Sequence, residues 1–254
     1  MALVKNSSLH QRGRRQAPQR RRALKPQDIH VKDIPLFSSL DSDEALRLQE
    51  GLEFRSYRRG ERIFSSGAVA DRLYIVCEGM MKIFKYLPDG RELLLYLYSE
   101  GDFVGGFNLL RADEYRYNAE ALEPSVICTL SKESFDRIVL NNPKILLKIV
   151  EKGFERVRWA EELVDRLNSP SADHKLAALL LDLMRDFSHS EACGLVLQLR
   201  ITQEDMGNYT GLTRENVSRK LGEFRDKGLI QLEGNRRIIL KDIEALRAIA
   251  EREL

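Results

Sequence analysis

The stretch ITQEDMGNYTGLTRENVSRKLGEFRDKGLIQLEGNRRIIL, residues 201–240, decides how this chain is read. Thr202 is a good N-cap for a short helix over 203–209, with Asp205 close to its first-turn amides. Thr210-Gly211 ends that helix, because glycine reaches turn conformations closed to other residues. Thr213 caps a second helix of about fourteen residues, in which Val217, Leu221 and Phe224 form the inward stripe. Gly228 is its C-terminal stop. Two helices joined by a short glycine turn make a helix-turn-helix. Residues 230–232 and 237–240, joined through Glu233-Gly234-Asn235-Arg236, form a hairpin that completes a winged helix.

The outward face of the second helix carries the chemistry. Arg214, Glu215, Ser218 and Arg219 fall at i, i+1, i+4 and i+5, in the half that a recognition helix presents to the major groove. Arginine pairs bidentately with guanine O6 and N7, and glutamate accepts from cytosine N4. Ser218 suits a base or a phosphate, while Lys220 and Arg225 suit phosphate neutralisation. With Thr202 and Thr213 at the helix starts, these residues make up the expected DNA-facing set.

Outward from this stretch the texture changes twice. Seven of the sixteen glycines lie between Gly60 and Gly106, separated by strand-length apolar segments at 72–77, 80–86 and 93–98. A further strand is expected at 125–130, and Pro88-Asp89-Gly90 is a turn with a preset φ and a glycine. Evenly spaced strands of this kind predict an antiparallel roll or sandwich. Before it, Asp41 and Glu44 form a capping-box pair for a helix whose apolar face takes in Ala45, Leu48 and Leu52. After it, from Pro143, Leu146, Val150, Gly153, Val157, Ala160, Val164 and Leu167 step by fours and threes. That is a 3.5-residue seam, read as a parallel dimer helix with Gly153 and Ala160 allowing close approach. A core helix against the roll is the other reading. The expected class is thus α+β: a basic tail over 1–28, a β-roll over 29–142, a dimerisation helix over 143–168 and a winged helix over 170–254.

The formal net charge of +2 hides a split. Residues 1–27 hold eight lysines or arginines and no acid, which leaves 33 basic against 39 acidic residues in the body. The tail reads as disordered, with its charge available to DNA or RNA polymerase. The apolar runs at 93–98 and 176–181 are far shorter than the roughly twenty residues of a spanning helix. Three scattered cysteines imply reduced thiols in a cytoplasm. Cys77 and Cys128 lie in apolar strands and read first as small buried hydrophobes, second as redox-active thiols. No nucleophile elbow, P-loop, dinucleotide fingerprint or metal-spaced histidine group is present, so neither catalysis nor a metal site is expected.

With these residues in view, 29–253 resembles the cyclic-AMP receptor protein/FNR superfamily of bacterial transcription regulators. The resemblance rests on the order roll, long helix, winged helix, and on two motifs: EGMMKIFKYLPDGRELLLYLYSEGDFVG (78–105) and RENVSR (214–219). Glu215, Ser218 and Arg219 are similar to the FNR branch, which reads TTGAT-type half-sites, whereas Arg214 is similar to the cyclic-AMP receptor branch. The resemblance implies a homodimer on an inverted repeat with a TGA-like core, a signal received by the roll, and contact with RNA polymerase. The family's nucleotide binders carry Gly-Glu in the segment aligned with Gly105, Gly106, Phe107 and Asn108, followed by an Arg-Ser or Arg-Thr pair. Here Gly106 replaces the ribose-binding glutamate and Arg116 is followed by Tyr117-Asn118 with no Ser or Thr, so cyclic AMP is not the expected effector. The N-terminal cysteine group of the iron–sulfur FNR proteins is missing, which excludes that cluster. Haem has only His10, His30, His174 and His189 as axial ligands, none of them on an expected strand of the roll. The alternative function is a cyclic-nucleotide module that acts on an enzyme instead of DNA.

Overall fold

The computed structural model describes residues 29–111, 113–192, 194–234 and 236–251; the expected basic tail, Cys193 and Asn235 lie outside them. Two short 3-10 turns, Val31–Asp33 and Pro35–Phe37, lead into α1 (Ser42–Glu50). There follow β1 (Leu52–Tyr57), β2 (Arg62–Phe64), β3 (Arg72–Glu78), β4 (Met80–Tyr86), β5 (Glu92–Ser99), β6 (Phe103–Val104), α2 (Gly106–Arg111), β7 (Asn118–Ala121), β8 (Ser125–Ser131) and α3 (Lys132–Ile138). The long α4 (Pro143–Asn168) connects these to α5 (Ala172–Phe187), β9 (Ser188–Glu191) and β10 (Gly194–Gln198). Last come α6 (Gln203–Thr210), α7 (Arg214–Asp226), β11 (Ile230–Glu233), β12 (Arg237–Leu240) and α8 (Ile243–Ala250).

Two antiparallel four-stranded sheets, ordered β1-β8-β3-β6 and β2-β7-β4-β5, face each other as the roll. Strand β3 is buried on both faces, and its alternation explains why. Tyr74 and Val76 point between the sheets with Phe64, Met81, Ile83 and Tyr115. Leu73, Ile75 and Cys77 point out, under α1, α3 and the first turns of α4. The β3–β4 link needs Gly79 for two reasons. Its φ is +87°, and a Cβ there would lie 2.7 Å from the Pro124 carbonyl oxygen. Asp41 and Glu44 make the expected capping box, Glu44 N–H donating to Asp41 Oδ1 over 2.8 Å. Leu52, however, is not on α1: Gly51 ends that helix, and Leu52 opens β1 opposite Leu130.

Strands β9 and β10 were not foreseen. They extend the wing hairpin to a four-stranded sheet, β11-β12-β10-β9, in which Val196 pairs with Ile239. Their polar ends and the lone short apolar run GLVLQ left little strand signal.

Helix α4 turns its apolar residues two ways. Ile145 and Ile149 are fully buried under the roll. Leu147, Val150, Phe154, Val157 and Val164 are each more than half exposed. The expected seam is therefore divided. Val150, Val157 and Val164 lie outward, but Gly153 faces inward: a Cβ on it would sit 2.2 Å from Phe107 Cζ of α2. Leu167 also turns in, its Cδ2 packing toward Gly211 of the helix-turn-helix. Leu146 and Ala160 are half-buried. The exposed stripe pairs the valines with residues one position later, 147 and 154, because packing on the roll fixes the helix's rotation.

The roll and the helix-turn-helix share one apolar core. Met80, Leu94 and Leu122 of the roll, none more than 4% exposed, join Leu176, Leu180, Met206, Tyr209, Val217 and Phe224. Around this core, Trp159 of α4 donates from Nε1 to the Leu95 carbonyl oxygen over 3.0 Å and packs edge-on against Tyr209. The buried Arg166 guanidinium pairs with Asp182 of α5 and lies 4.5 Å from the centre of the Tyr209 ring.

Gly153→Ala should lower stability by about 1–3 kcal/mol through overpacking against Phe107. In a Phe107→Ala background the same change should instead stabilise, by about 1 kcal/mol, since alanine is then only the better helix former. Thermal unfolding of the four proteins checks this; destabilisation in both backgrounds would remove Phe107 from the argument.

Candidate nucleic-acid interface

Caps hold the two helices of the motif at their starts. Thr202 Oγ1 accepts from Asp205 N–H over 3.1 Å, and Asp205 Oδ2 accepts from Thr202 N–H over 2.9 Å. Thr213 Oγ1 accepts from Asn216 N–H over 3.2 Å at the start of α7. Gly211, at φ +71°, makes the turn between them, and its N–H closes on the Gly207 carbonyl. Gly207 is needed as well, since a Cβ there would lie 2.7 Å from the Leu212 carbonyl oxygen. Met206, Tyr209, Val217, Leu221 and Phe224 are buried against α5, so the pair of helices is a rigid support.

On this support Arg214, Glu215, Ser218 and Arg219 line one open groove, together with Gln203 and Gly222. All four expected reading residues are exposed. Among the described residues, no side-chain hydrogen bond or ion pair ties Arg214, Glu215 or Ser218 to the rest of the chain. Arg219 is held on the same face by Glu223 at 2.6 Å and by Asn216 Oδ1 at 3.2 Å, with its side chain 57% exposed. Two cations and one carboxylate thus stand free or lightly held on the first two turns, a set able to address base edges.

Three placements differ from the sequence reading. Lys220 does not face the groove: its ammonium lies 2.6 Å from Asp173 and 2.7 Å from Glu223, with 16% of the side chain exposed. The hydrogen bond to Asp173, seconded by Glu223, raises its pKa above the ordinary lysine value. Lys220 ties α7 to α5. Thr202 is likewise turned away, lining a cavity of about 260 Å³ against Lys82, Glu92 and Glu120 of the roll. Its neighbour Gln203 takes the groove position instead. Gly222 was missed altogether. A Cβ there would meet nothing within 4 Å, so internal packing does not require a glycine that costs a helix interior about 1 kcal/mol. The available signal was the step 214, 218, 222 along one face; the bare position leaves room for a close-lying partner.

The expected effector residues do not converge. Gly106 lies beneath α4, 3.4 Å from Ile149 if given a Cβ, and Phe107 covers Gly153. Gly105 backs onto the Arg72 carbonyl. Asn108 bonds the Glu114 carbonyl and the Tyr117 hydroxyl. Arg116 points to solvent, 76% exposed and 3.6 Å from Asp113. The space between the sheets is filled by rings, with Phe64 stacked on Tyr115 at 4.2 Å and Tyr115 Oη donating to the Arg72 carbonyl over 2.6 Å. Among the described residues no group of three metal-ligating side chains occurs, and no helix is long and apolar enough to cross a membrane.

Two family models match the chain. Residues 54–142 match the cyclic nucleotide-binding domain, and residues 174–249 match the Crp-like helix-turn-helix domain. The chain is 31% identical over 206 residues to the nitrogen fixation regulation protein FixK of Bradyrhizobium diazoefficiens, covering 81% of this chain and 85% of FixK. It is 28% identical over 225 residues to the fumarate and nitrate reduction regulatory protein of Vibrio cholerae, covering 88% and 90%. The solved structure of FixK2 from Bradyrhizobium japonicum superposes with a TM-score of 0.71 at 25% identity, over 80% of this chain and 99% of that one.

Lys220→Ala should lower the melting temperature yet leave the salt dependence of DNA binding unchanged. A salt slope smaller by about one would return Lys220 to a phosphate.

Proposed function

The chain belongs to the cyclic-AMP receptor protein/FNR family of transcription regulators, with a helix-turn-helix DNA-binding domain, and we propose that it reads a TGA-containing inverted repeat as a homodimer. The exposed Arg214–Glu215–Ser218–Arg219 face carries this reading. Its groups are presented together, on a helix capped by Thr213 and locked to α5 by Lys220. Arg214 and Arg219 suit guanines, Glu215 suits the cytosine opposite, and Ser218 suits a base edge or a phosphate. The alternative of a nucleotide-binding module serving an enzyme leaves this face without a use.

The second copy would sit on α4. Leu147, Val150, Phe154, Val157 and Val164 recur at threes, fours and a seven, and each is more than half exposed. That is the period of a two-helix seam. Two chains joined there set the two reading helices apart by a fixed distance, which an inverted repeat must match. A signal received by the roll would act by shifting the packing of α4, on which roll, partner and helix-turn-helix all lean. Gly106 against Ile149 and the outward Arg116 argue against cyclic AMP as that signal. The protein would act in the cytoplasm, with RNA polymerase as a partner.

Arg219→Ala should cost about 1–3 kcal/mol per half-site and flatten the preference among half-sites, as read by fluorescence anisotropy on selected operators. Glu215→Ala should relax selectivity at the paired cytosine more than it weakens affinity. An unaltered preference in both variants would overturn the assignment. Val157→Glu should yield a folded monomer by light scattering that has lost tight operator binding; a dimer that persists would move the seam elsewhere.

A further inference from the structure

Two cysteines meet on the outer face of the β3–β8 ladder. Ile75 pairs with Cys128, and the register slips between Val76 and Glu78, so Cys77 is the extra residue of a bulge. Alternation places Cys77 and Cys128 on the same face, within the apolar cluster that includes Ile145 and Ile149 of α4. The bulge folds Cys77 back along its own strand. Its Sγ lies 3.9 Å from the carbonyl oxygen of Ile75, the residue opposite Cys128. Cys128 is thus the diagonal neighbour of Cys77 across the ladder, on the same apolar face. The Cys128 thiol lowers the pKa of Cys77, while Cys77 and burial hold Cys128 well above the ordinary thiol value. Two separated cysteines on a strand would be inert small hydrophobes. Two neighbouring thiols on one face, whose acidities are shifted in opposite directions, are a different chemical object.

We propose that Cys77 and Cys128 form one oxidisable dithiol, closed to an intramolecular disulfide by a peroxide, and that closure is felt by α4. In the first step the Cys77 thiolate attacks the peroxide; the O–O bond breaks, a sulfenic acid forms on Cys77, and the released hydroxide takes a proton to leave as water. In the second the Cys128 sulfur attacks the sulfenic sulfur, the S–O bond breaks, and a second water leaves with the Cys128 proton. Two thiols and one peroxide give one disulfide and two waters. Closure needs the two Cβ atoms about 3.5–4.5 Å apart, nearer than diagonal neighbours across a ladder ordinarily sit. It therefore draws the bulge toward β8. The adjoining Val76 is bonded through both backbone groups to the turn before β6: its N–H donates to the Asp102 carbonyl over 2.9 Å, and its carbonyl accepts from Gly101 N–H over 2.8 Å. Asp102 Oδ1 in turn holds the α4 ammonium of Lys152 at 2.7 Å. Sulfur chemistry in the sheet is thus three contacts from the long helix.

The bond itself is independent of the DNA-reading proposal; only its effect on operator affinity rests on that proposal. Full-length protein carrying Cys193→Ser would be treated with hydrogen peroxide and analysed by intact mass, thiol alkylation and peptide mapping. The expected result is loss of two hydrogens, protection of both thiols, and one crosslinked peptide containing Cys77 and Cys128. Dithiothreitol should reverse it, and Cys77→Ala or Cys128→Ala should abolish it. Trp159, the single tryptophan, reports on α4 without DNA, and its emission should shift only when the pair closes. Operator affinity should change about tenfold between the two redox states. Thiols that stay alkylatable, or oxidation that stops at Cys77 alone, overturn the site. A disulfide with unchanged Trp159 emission and unchanged affinity overturns its link to α4. Reduced protein that selects no operator would count against the DNA-reading proposal and leave the disulfide result standing.

Discussion

A lysine sits where the two halves of this molecule meet, and carboxylates from both halves keep it charged. Lys82 on β4 is 7% exposed, with its ammonium 2.6 Å from Glu92, 3.5 Å from Asp205 and 3.6 Å from Glu120. Burial by itself would lower its pKa; the hydrogen bond it donates to Glu92 and the charges of Glu92, Asp205 and Glu120 outweigh that, and the value lies above the ordinary one. Glu92 and Glu120 belong to the roll, while Asp205 closes the capping box of α6. The carboxylate that starts the helix-turn-helix is thus also a counter-ion for the roll. A buried charge deprived of a partner is costly, so the orientation of α6 on the roll is tied to this contact.

The apolar part of the same seam gives the contact its leverage. Met80, Leu94 and Leu122 pack into the helix-turn-helix core, and Trp159 and Arg166 join α4 to it through Tyr209. Helix α4 therefore touches every unit on which the proposed regulation depends. Its inner face lies on the roll through Ile145, Ile149 and Gly153; its far end holds the helix-turn-helix; its outer stripe is bare. Packed elements of this kind change between discrete arrangements and do not flex continuously, which is what a regulator of half-site spacing requires.

What could be read in advance follows from the range of the forces involved. Caps, turns and periods are local, and Asp41, Thr202, Thr213, Gly211 and the inward stripe of α7 were legible as such. So was the exposure of Arg214, Glu215, Ser218 and Arg219, since outward residues on a helix are fixed by the 3.6-residue period. Side chains that answer to distant partners were not. Lys220 looks like any basic residue beside a DNA-reading face until Asp173, forty-seven positions earlier, is brought against it. Gly153 looks like a helix-crossing glycine until Phe107 is laid on it. The expected seam on α4 is split, Val150, Val157 and Val164 outward but Gly153 and Leu167 inward, because which side of a helix faces inward is set by what it packs against.

The shared core also has a consequence for how the protein is made. The surface of Met80, Leu94 and Leu122 belongs to a roll whose last strand ends at Ser131, whereas its covering residues run from Leu176 to Leu246. At a synthesis rate of roughly 5–20 residues per second, the roll is complete several seconds before its cover has left the ribosome. For that interval the nascent chain carries an uncovered apolar patch with an incompletely paired lysine inside it. Such a patch is the kind of surface that chaperones and neighbouring nascent chains recognise. The interface that later seats the helix-turn-helix on the roll is, during birth, a part of the chain in need of protection.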